Sequence, residues 1–413
     1  MTLSALRCAA PGINSWLLAG LFFVIPTTIA PAYWLMLAIL LLWLVEGRFA
    51  EKWQALRGNS VFWVFQAYFW ILPLGLLWTE DFGDGRRMVN RAMFFLLSPV
   101  LLTVARPEHR WRYLGAFLLG VTMCEMLAYY NWLRLHAFAF LPEGIQVDKN
   151  EFDTAPFVDR IMYAPVLALA AYVAGHELLF REGRLRALFG FSLLLTAGNL
   201  IISGGRTGQL AFIVLMGLLT IQRFARRPVM GSIGAIAVMA GVFALAYAGS
   251  EYFRERTDVA LHELADYEDA VDSAVGLRIV YNINSWRIFA DHPLAGVGTG
   301  DFEEAYRIVN DRHTPMWRPT HNPHSQYLMA LTTTGFLGGI VLLLTLLPPA
   351  LLRLPRSDGL DRLRVALPVL FLIICALESY LWRTNTSLMF VLFSVMLYAS
   401  PPYATTPWRE VGK

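Results

Sequence analysis

Apolar residues run along this chain in blocks of about 20, the length that crosses a hydrocarbon core as a helix. Such blocks stand near 13–28, 30–46, 60–78, 88–104, 112–133, 158–176, 186–202, 208–222, 230–248, 326–352, 363–382 and 386–402. They predict twelve transmembrane helices, with both termini on one side. The first block has no small-residue cleavage site and a second follows almost at once, so it reads as an uncleaved first helix and not a signal peptide. Two long outward loops interrupt the tight turns. The smaller, about 134–157, contains EGIQVDKNEFD; the larger spans 249–325. The larger opens with EYFRERTDVALHELADYEDAVDSA, in which apolar residues at helical spacing are set among acidic ones. It reads as an amphipathic helix or two over the membrane surface, with a solvated acidic face. A helix ended by His292-Pro293, a glycine-rich turn and a second short helix from about Asp301 follow. The pattern thus predicts an all-α polytopic membrane protein, one transmembrane domain over 1–413 with the loop 249–325 inserted in it.

Composition agrees with this reading and charge orients it. Hydrophobic residues make up 56% of the chain and charged ones 16%, far below the roughly one-quarter of soluble domains. With a cytoplasmic N-terminus, the inside loops hold Arg48, Lys52 and Arg57; Arg106, Arg110 and Arg112; Arg181, Arg184 and Arg186; Arg223, Arg226 and Arg227; and Arg353, Arg356, Arg362 and Arg364. Every inside loop is then basic, as the positive-inside rule requires. The net charge of +3 therefore reports topology and gives no reason to expect a nucleic-acid partner. Cys8, Cys124 and Cys375 fall in the N-terminal tail and in predicted helices, without CxxC spacing, so neither a disulfide framework nor a cysteine metal site is expected.

Arginine in or beside a membrane span is expensive and is a functional candidate by default. Arg206 lies in SGGRTG between two predicted helices, where glycines allow close approach and a helix start can offer N–H groups to an anion; an ordinary turn with a snorkelling arginine is the alternative. Arg278 lies in VGLRIVYNINSW, where the loop resumes an apolar helix, with a salt bridge to the acidic stretch as the alternative. Arg86, Arg87 and Arg91 flank the start of the fourth helix and Arg160 the start of the sixth, positions that also suit interfacial anchors. Guanidinium groups bind phosphate in pairs of hydrogen bonds and stay charged, so several facing one outward cavity suit a diphosphate. There is no Walker loop. TEDFGDG at 79–85 and DKNEFD at 148–153 offer carboxylates without histidine, a poor metal set, and no metal or other cofactor is expected. The stretch HNPHSQYLMALTTTGFLGG opens with His321 and His324 at a helix mouth, just after Arg318. Ser325 is placed to cap that helix, and Gly335, Gly338 and Gly339 share a face suited to close helix packing. A histidine so held is suited to take a proton from a hydroxyl.

These residues together resemble a family. His324-Ser325, nine residues, Gly335, two residues and Gly338 resemble the histidine signature of the O-antigen ligases. SGGRTG resembles the S-G-S-R-T start of the O-antigen ligase and polymerase superfamily domain, with Gly205 where many relatives carry serine. HPLAGVGTGDF resembles the proline- and glycine-rich element that precedes the histidine. The resemblance implies a glycosyltransferase C-type fold in the bacterial inner membrane, with a periplasmic active site. It implies transfer of O-antigen polysaccharide from undecaprenyl diphosphate to lipid A–core, without nucleotide or metal. By motif it gives His324 the catalytic position and Arg206 and Arg278 the diphosphate, with Arg86, Arg87, Arg91, Arg160, His321 and Arg318 as further candidates for substrate. Backside attack would invert the anomeric centre.

Protein O-oligosaccharyltransferases and O-antigen polymerases share the signature or the outline, and a lipid or glycan transporter would also have many spans and buried charges. Matched halves with broken helices, the mark of a transporter, are not evident in the sequence.

Overall fold

A computed structural model of the chain describes residues 3–138, 140–146, 153–249, 251–265, 274–347 and 359–399. Among them the chain is helical, in chain order α1 (Leu3–Val24), α2 (Ala30–Glu46), α3 (Phe49–Arg57), α4 (Ser60–Gly75), α5 (Phe82–Arg91), α6 (Met93–Leu96), α7 (Ser98–Val104), α8 (Arg110–His136), α9 (Arg160–Phe180), α10 (Leu185–Ile202), α11 (Arg206–Arg223), α12 (Pro228–Gly249), α13 (Glu251–Ala265), α14 (Ala274–Asp291), α15 (Phe302–His313), α16 (Gln326–Leu346), α17 (Asp361–Leu377) and α18 (Thr384–Tyr398). Every apolar block but one meets a single long helix in its described part, although α1 begins at Leu3, well before the block at 13, and α17 ends at Leu377, short of 382. Six described helical stretches are long and apolar enough to cross a membrane, or seven if α2 and α3, bent by 114° at Gly47 and Arg48, form one span. The protein is therefore a helical polytopic membrane protein. The remaining helices are too short or too polar to be counted as spans by length and composition alone. Thus α18 has 15 residues, and α11 carries Arg206, Gln209, Gln222 and Arg223 within its 18.

The exception is the block 88–104. It breaks into α5, α6 and α7 at Ala92 and Leu97, whose ψ angles of 4° and −1° lie well off the helical value, and Pro99 contributes no N–H. Arg86, Arg87 and Arg91 consequently stand on the short polar helix α5, which ends where the block breaks. Cys8 lies within α1, not in a tail. The acidic run is helical over α13, while 266–273 and most of DKNEFD lie outside the described residues.

Two helices form the centre. Every residue from Tyr163 to Glu177 of α9 and from Asn385 to Tyr398 of α18 is buried, which fits their apolar character on all faces. Phe390 packs on Phe65, Phe95 and Phe371, and Phe393 on Phe22 and Phe117. At the C-terminal end of α18, buried Arg110 and Arg364 donate to the carbonyls of Met396 and Leu397, satisfying orphan acceptors and opposing the helix dipole. Its N-terminal end, at Arg383, belongs to the opposite end of the bundle, where the candidate residues collect.

Candidate functional site

The stretch that holds His324 is shaped by glycine and proline. Ser325 caps α16, its hydroxyl accepting from the Leu328 N–H at 3.4 Å, as its position suggests. Gly335, however, interrupts the helix at φ +67°, and the gap is filled by the loop of the HPLAGVGTGDF motif, not by another helix. Pro293 O accepts from Phe336 N at 2.8 Å, and Thr332 O and Thr333 O accept from Val297 N and Gly298 N. A Cβ on Gly335 would overlap the Leu294 carbonyl. On its far side the same loop is held by Asp301, whose carboxylate accepts from the N–H groups of Glu80 and Asp81 at 2.9 and 2.7 Å. The motif is thus a clamp joining the first turns of α16 to the α4–α5 turn.

His324 itself adopts a left-handed backbone, φ +54°, uncommon for a residue with a side chain. Its N–H donates to Asn322 Oδ1 at 3.0 Å. The ring lies between Tyr281 of α14, stacked at 5.8 Å, and Glu378, whose Oε2 is 2.8 Å from Nδ1. Glu378 is nearly inaccessible at 1% exposure, while His324 is 26% exposed. The other carboxylate oxygen, Oε1, accepts from Asn322 Nδ2 and from Ser379 N, and Arg383 stands 3.5 Å from Oε2 and 3.8 Å from Asp159. Burial alone would raise the Glu378 carboxyl. The hydrogen bond and charge of His324, then Arg383 and the Ser379 N–H, outweigh it and hold the group at about 2. An anion there keeps the proton of the imidazole on Nδ1 and leaves Nε2 as the acceptor, the arrangement of a histidine base with its orienting carboxylate.

Beside this pair is a cavity of about 130 Å³ lined by Arg160, Arg206, Arg278 and Glu378 together with the 204–208 backbone. Arg206 is the first residue of α11, and the preceding Gly205 supplies no side-chain cap, so the amino end of the helix adds its dipole to the three guanidinium groups. Gly205 and Gly208 press α11 onto α9, where a Cβ on either would overlap Ala164. Among the described residues Arg278 forms no ion pair within 4.0 Å, so the salt bridge entertained for it is not found there.

Residues 191–343 match the O-antigen ligase family. The match is consistent with a member of the O-antigen ligase and polymerase superfamily, a superfamily of glycosyltransferase-like enzymes. The matched O-antigen ligase segment begins in α10 and ends in α16, so it contains Arg206, Arg278, His324 and the clamp loop. It leaves out Arg160 and the Glu378–Arg383 stretch that completes the site. No curated protein matches the chain.

Of the residues singled out in sequence, Arg160, Arg206 and Arg278 meet on one cavity with His324 reached through Glu378. Arg87, Arg91 and His321 line a second cavity. Arg86 and Arg318 are exposed and line neither. Sequence reasoning passed over Glu378 and Asn322. A signal for Glu378 is in the sequence, an acidic residue in CALESYLW at the end of an apolar block, the same cost argument that singled out the arginines.

Proposed function

We propose that the protein is an inverting glycosyltransferase that moves O-antigen polysaccharide from undecaprenyl diphosphate to lipid A–core, on the periplasmic face of the inner membrane with both termini cytoplasmic. The observation that carries this reading is the adjacency of a carboxylate-oriented histidine and a three-arginine cavity. His324 Nε2 takes the proton of the acceptor hydroxyl while its oxygen attacks the anomeric carbon. The bond from that carbon to the diphosphate oxygen breaks, and the leaving diphosphate takes its electron pair into the field of Arg206, Arg278 and Arg160. The guanidinium groups supply the neutralising charge that a metal supplies in many glycosyltransferases.

A second feature supports a polyprenyl donor. An apolar cavity of about 480 Å³ runs between α9, α10, α11 and α12, bounded by Gln209, Leu200, Phe212, Leu193 and Val242 among others. Gln209 is one turn from Arg206, so a hydrocarbon tail in this groove would present its diphosphate to the cations. In this reading the bundle is of glycosyltransferase C type, the shorter helices complete twelve spans within one domain, and 249–325 is the periplasmic insert that brings Arg278 and Tyr281 to the site.

Transfer by the purified protein in detergent, with chelator present, tests this, comparing wild type with His324→Ala. Expected is transfer to lipid A–core by wild type that disappears in the variant while donor binding persists. Modification of a peptide, or lengthening of the donor, would replace the acceptor assignment with that of a protein O-oligosaccharyltransferase or a polymerase. Movement of lipid across vesicles without transfer would refute the enzyme and favour a transporter.

A further inference from the structure

The second cavity, of about 220 Å³, lies at the same end of the bundle and is lined by Asp84, Arg87, Arg91, Glu303, His321 and Trp382 among others. Glu378 lines the cationic cavity and Trp382 this one, so the 378–382 turn is a common wall. Gln326 fixes that wall, its Oε1 accepting from Leu381 N at 2.9 Å and Trp382 N at 3.2 Å. His321 lines this cavity, and His324, on the same loop, is bonded to Glu378 of the wall. The cavity thus adjoins the reacting groups but is distinct from the arginine cavity.

Its polar groups are unevenly satisfied. Arg87 is paired with Asp84. Arg91 forms no ion pair within 4.0 Å of a described carboxylate; its guanidinium lies over the Trp382 ring, 4.2 Å from the centroid. Burial, then the charges of Arg87 and Arg383, lower its hold on the proton, so an anion would relieve a clustered positive charge. The indole Nε1–H of Trp382 is buried and has no acceptor among the described residues. Among the described residues, a cation without counter-ion and a donor without acceptor, flanked by two carboxylates able to accept hydrogen bonds from hydroxyl groups, form a chemical complement to an anionic sugar.

We propose that this cavity is the acceptor subsite and that it holds a phosphorylated saccharide, with phosphate on Arg91 and a saccharide oxygen on the Trp382 indole N–H. The assignment to an acceptor rests on the glycosyl-transfer reading; the binding of such a saccharide does not.

The test titrates the full-length protein in detergent with a delipidated, phosphorylated core oligosaccharide and with the same oligosaccharide after phosphatase treatment. Wild type should bind the phosphorylated probe at least tenfold more tightly. Arg91→Gln should lose that preference, binding both forms alike, while its affinity for polyprenyl diphosphate stays at the wild-type value. Trp382→Phe keeps a ring beneath Arg91 but removes the N–H, and should weaken both forms of the probe equally. In transfer assays Arg91→Gln should raise the acceptor KM and leave kcat nearly unchanged. Unaltered phosphate preference in Arg91→Gln, or loss of donor binding with acceptor binding intact, would overturn the subsite. Phosphate-dependent binding by a wild type that transfers no glycan would sustain the subsite and refute the transfer reading. Transfer with an acceptor KM unmoved by Arg91→Gln would do the reverse.

Discussion

Replacing Glu378 by glutamine tests whether the histidine works as an oriented base. The carboxylate uses both oxygens as acceptors, Oε2 toward His324 Nδ1 at 2.8 Å and Oε1 toward Asn322 Nδ2 and Ser379 N. An amide of the same shape can accept on one side only and must direct its NH₂ at a donor on the other. Hydrogen bonds to a charged group contribute about 1.5–3 kcal/mol, and each ~1.4 kcal/mol is a factor of ten in rate. If that interaction is made mainly in the transition state, where the imidazole becomes cationic, Glu378→Gln should slow transfer roughly ten- to a hundredfold. Donor binding should respond with the opposite sign, because Glu378 also lines the arginine cavity and losing its charge strengthens the field on a diphosphate. Single-turnover transfer with saturating lipid-linked donor measures the first effect, and equilibrium binding of polyprenyl diphosphate the second. Turnover at the wild-type rate would refute the dyad; equal losses in turnover and donor affinity would make Glu378 a structural support of the cavity.

Arg206→Lys and Arg278→Lys should each lose nearly as much transfer activity as the alanine variants, since lysine offers a point charge in place of a planar fork; full activity in both would sink the clamp. Gly335→Ala should lower the thermal transition measured in detergent, because a left-handed backbone alone costs about 1–3 kcal/mol in a residue with a side chain and the added Cβ meets the Leu294 carbonyl; an unchanged transition would remove the clamp loop from the stability argument. The acid limb follows from Glu378, whose folded carboxyl sits near 2 against an ordinary 4.5. A depressed carboxyl contributes stability above the unfolded value that is lost as pH falls toward the folded one. Unfolding of wild type and Glu378→Gln should therefore differ most above pH 4.5 and converge as pH approaches 2, and a gap that does not narrow would contradict the assignment.

The sequence by itself determined that the chain is helical and membrane-embedded, because spans are limited by the bilayer and written as apolar blocks of fixed length. It also determined the motifs of Arg206, Arg278 and His324, since a charge beside such a block is conspicuous. It read the block 88–104 as one continuous helix, where composition satisfies the rule for a span but the backbone breaks at Ala92 and Leu97. It assigned the glycines after His324 to helix packing, whereas Gly335 admits a loop distant along the chain but adjacent in space, held by hydrogen bonds from Val297, Gly298 and Phe336. Only the tertiary structure decided that Glu378, 54 residues beyond His324, is its partner, and that Arg160 joins the other two arginines while Arg91 faces a separate cavity. The physical reason is that periodicity and hydropathy act over neighbours along the chain. A hydrogen bond or a cluster of like charges is set by how α9, α11, α14 and the α17–α18 turn pack, and no local pattern records that distance.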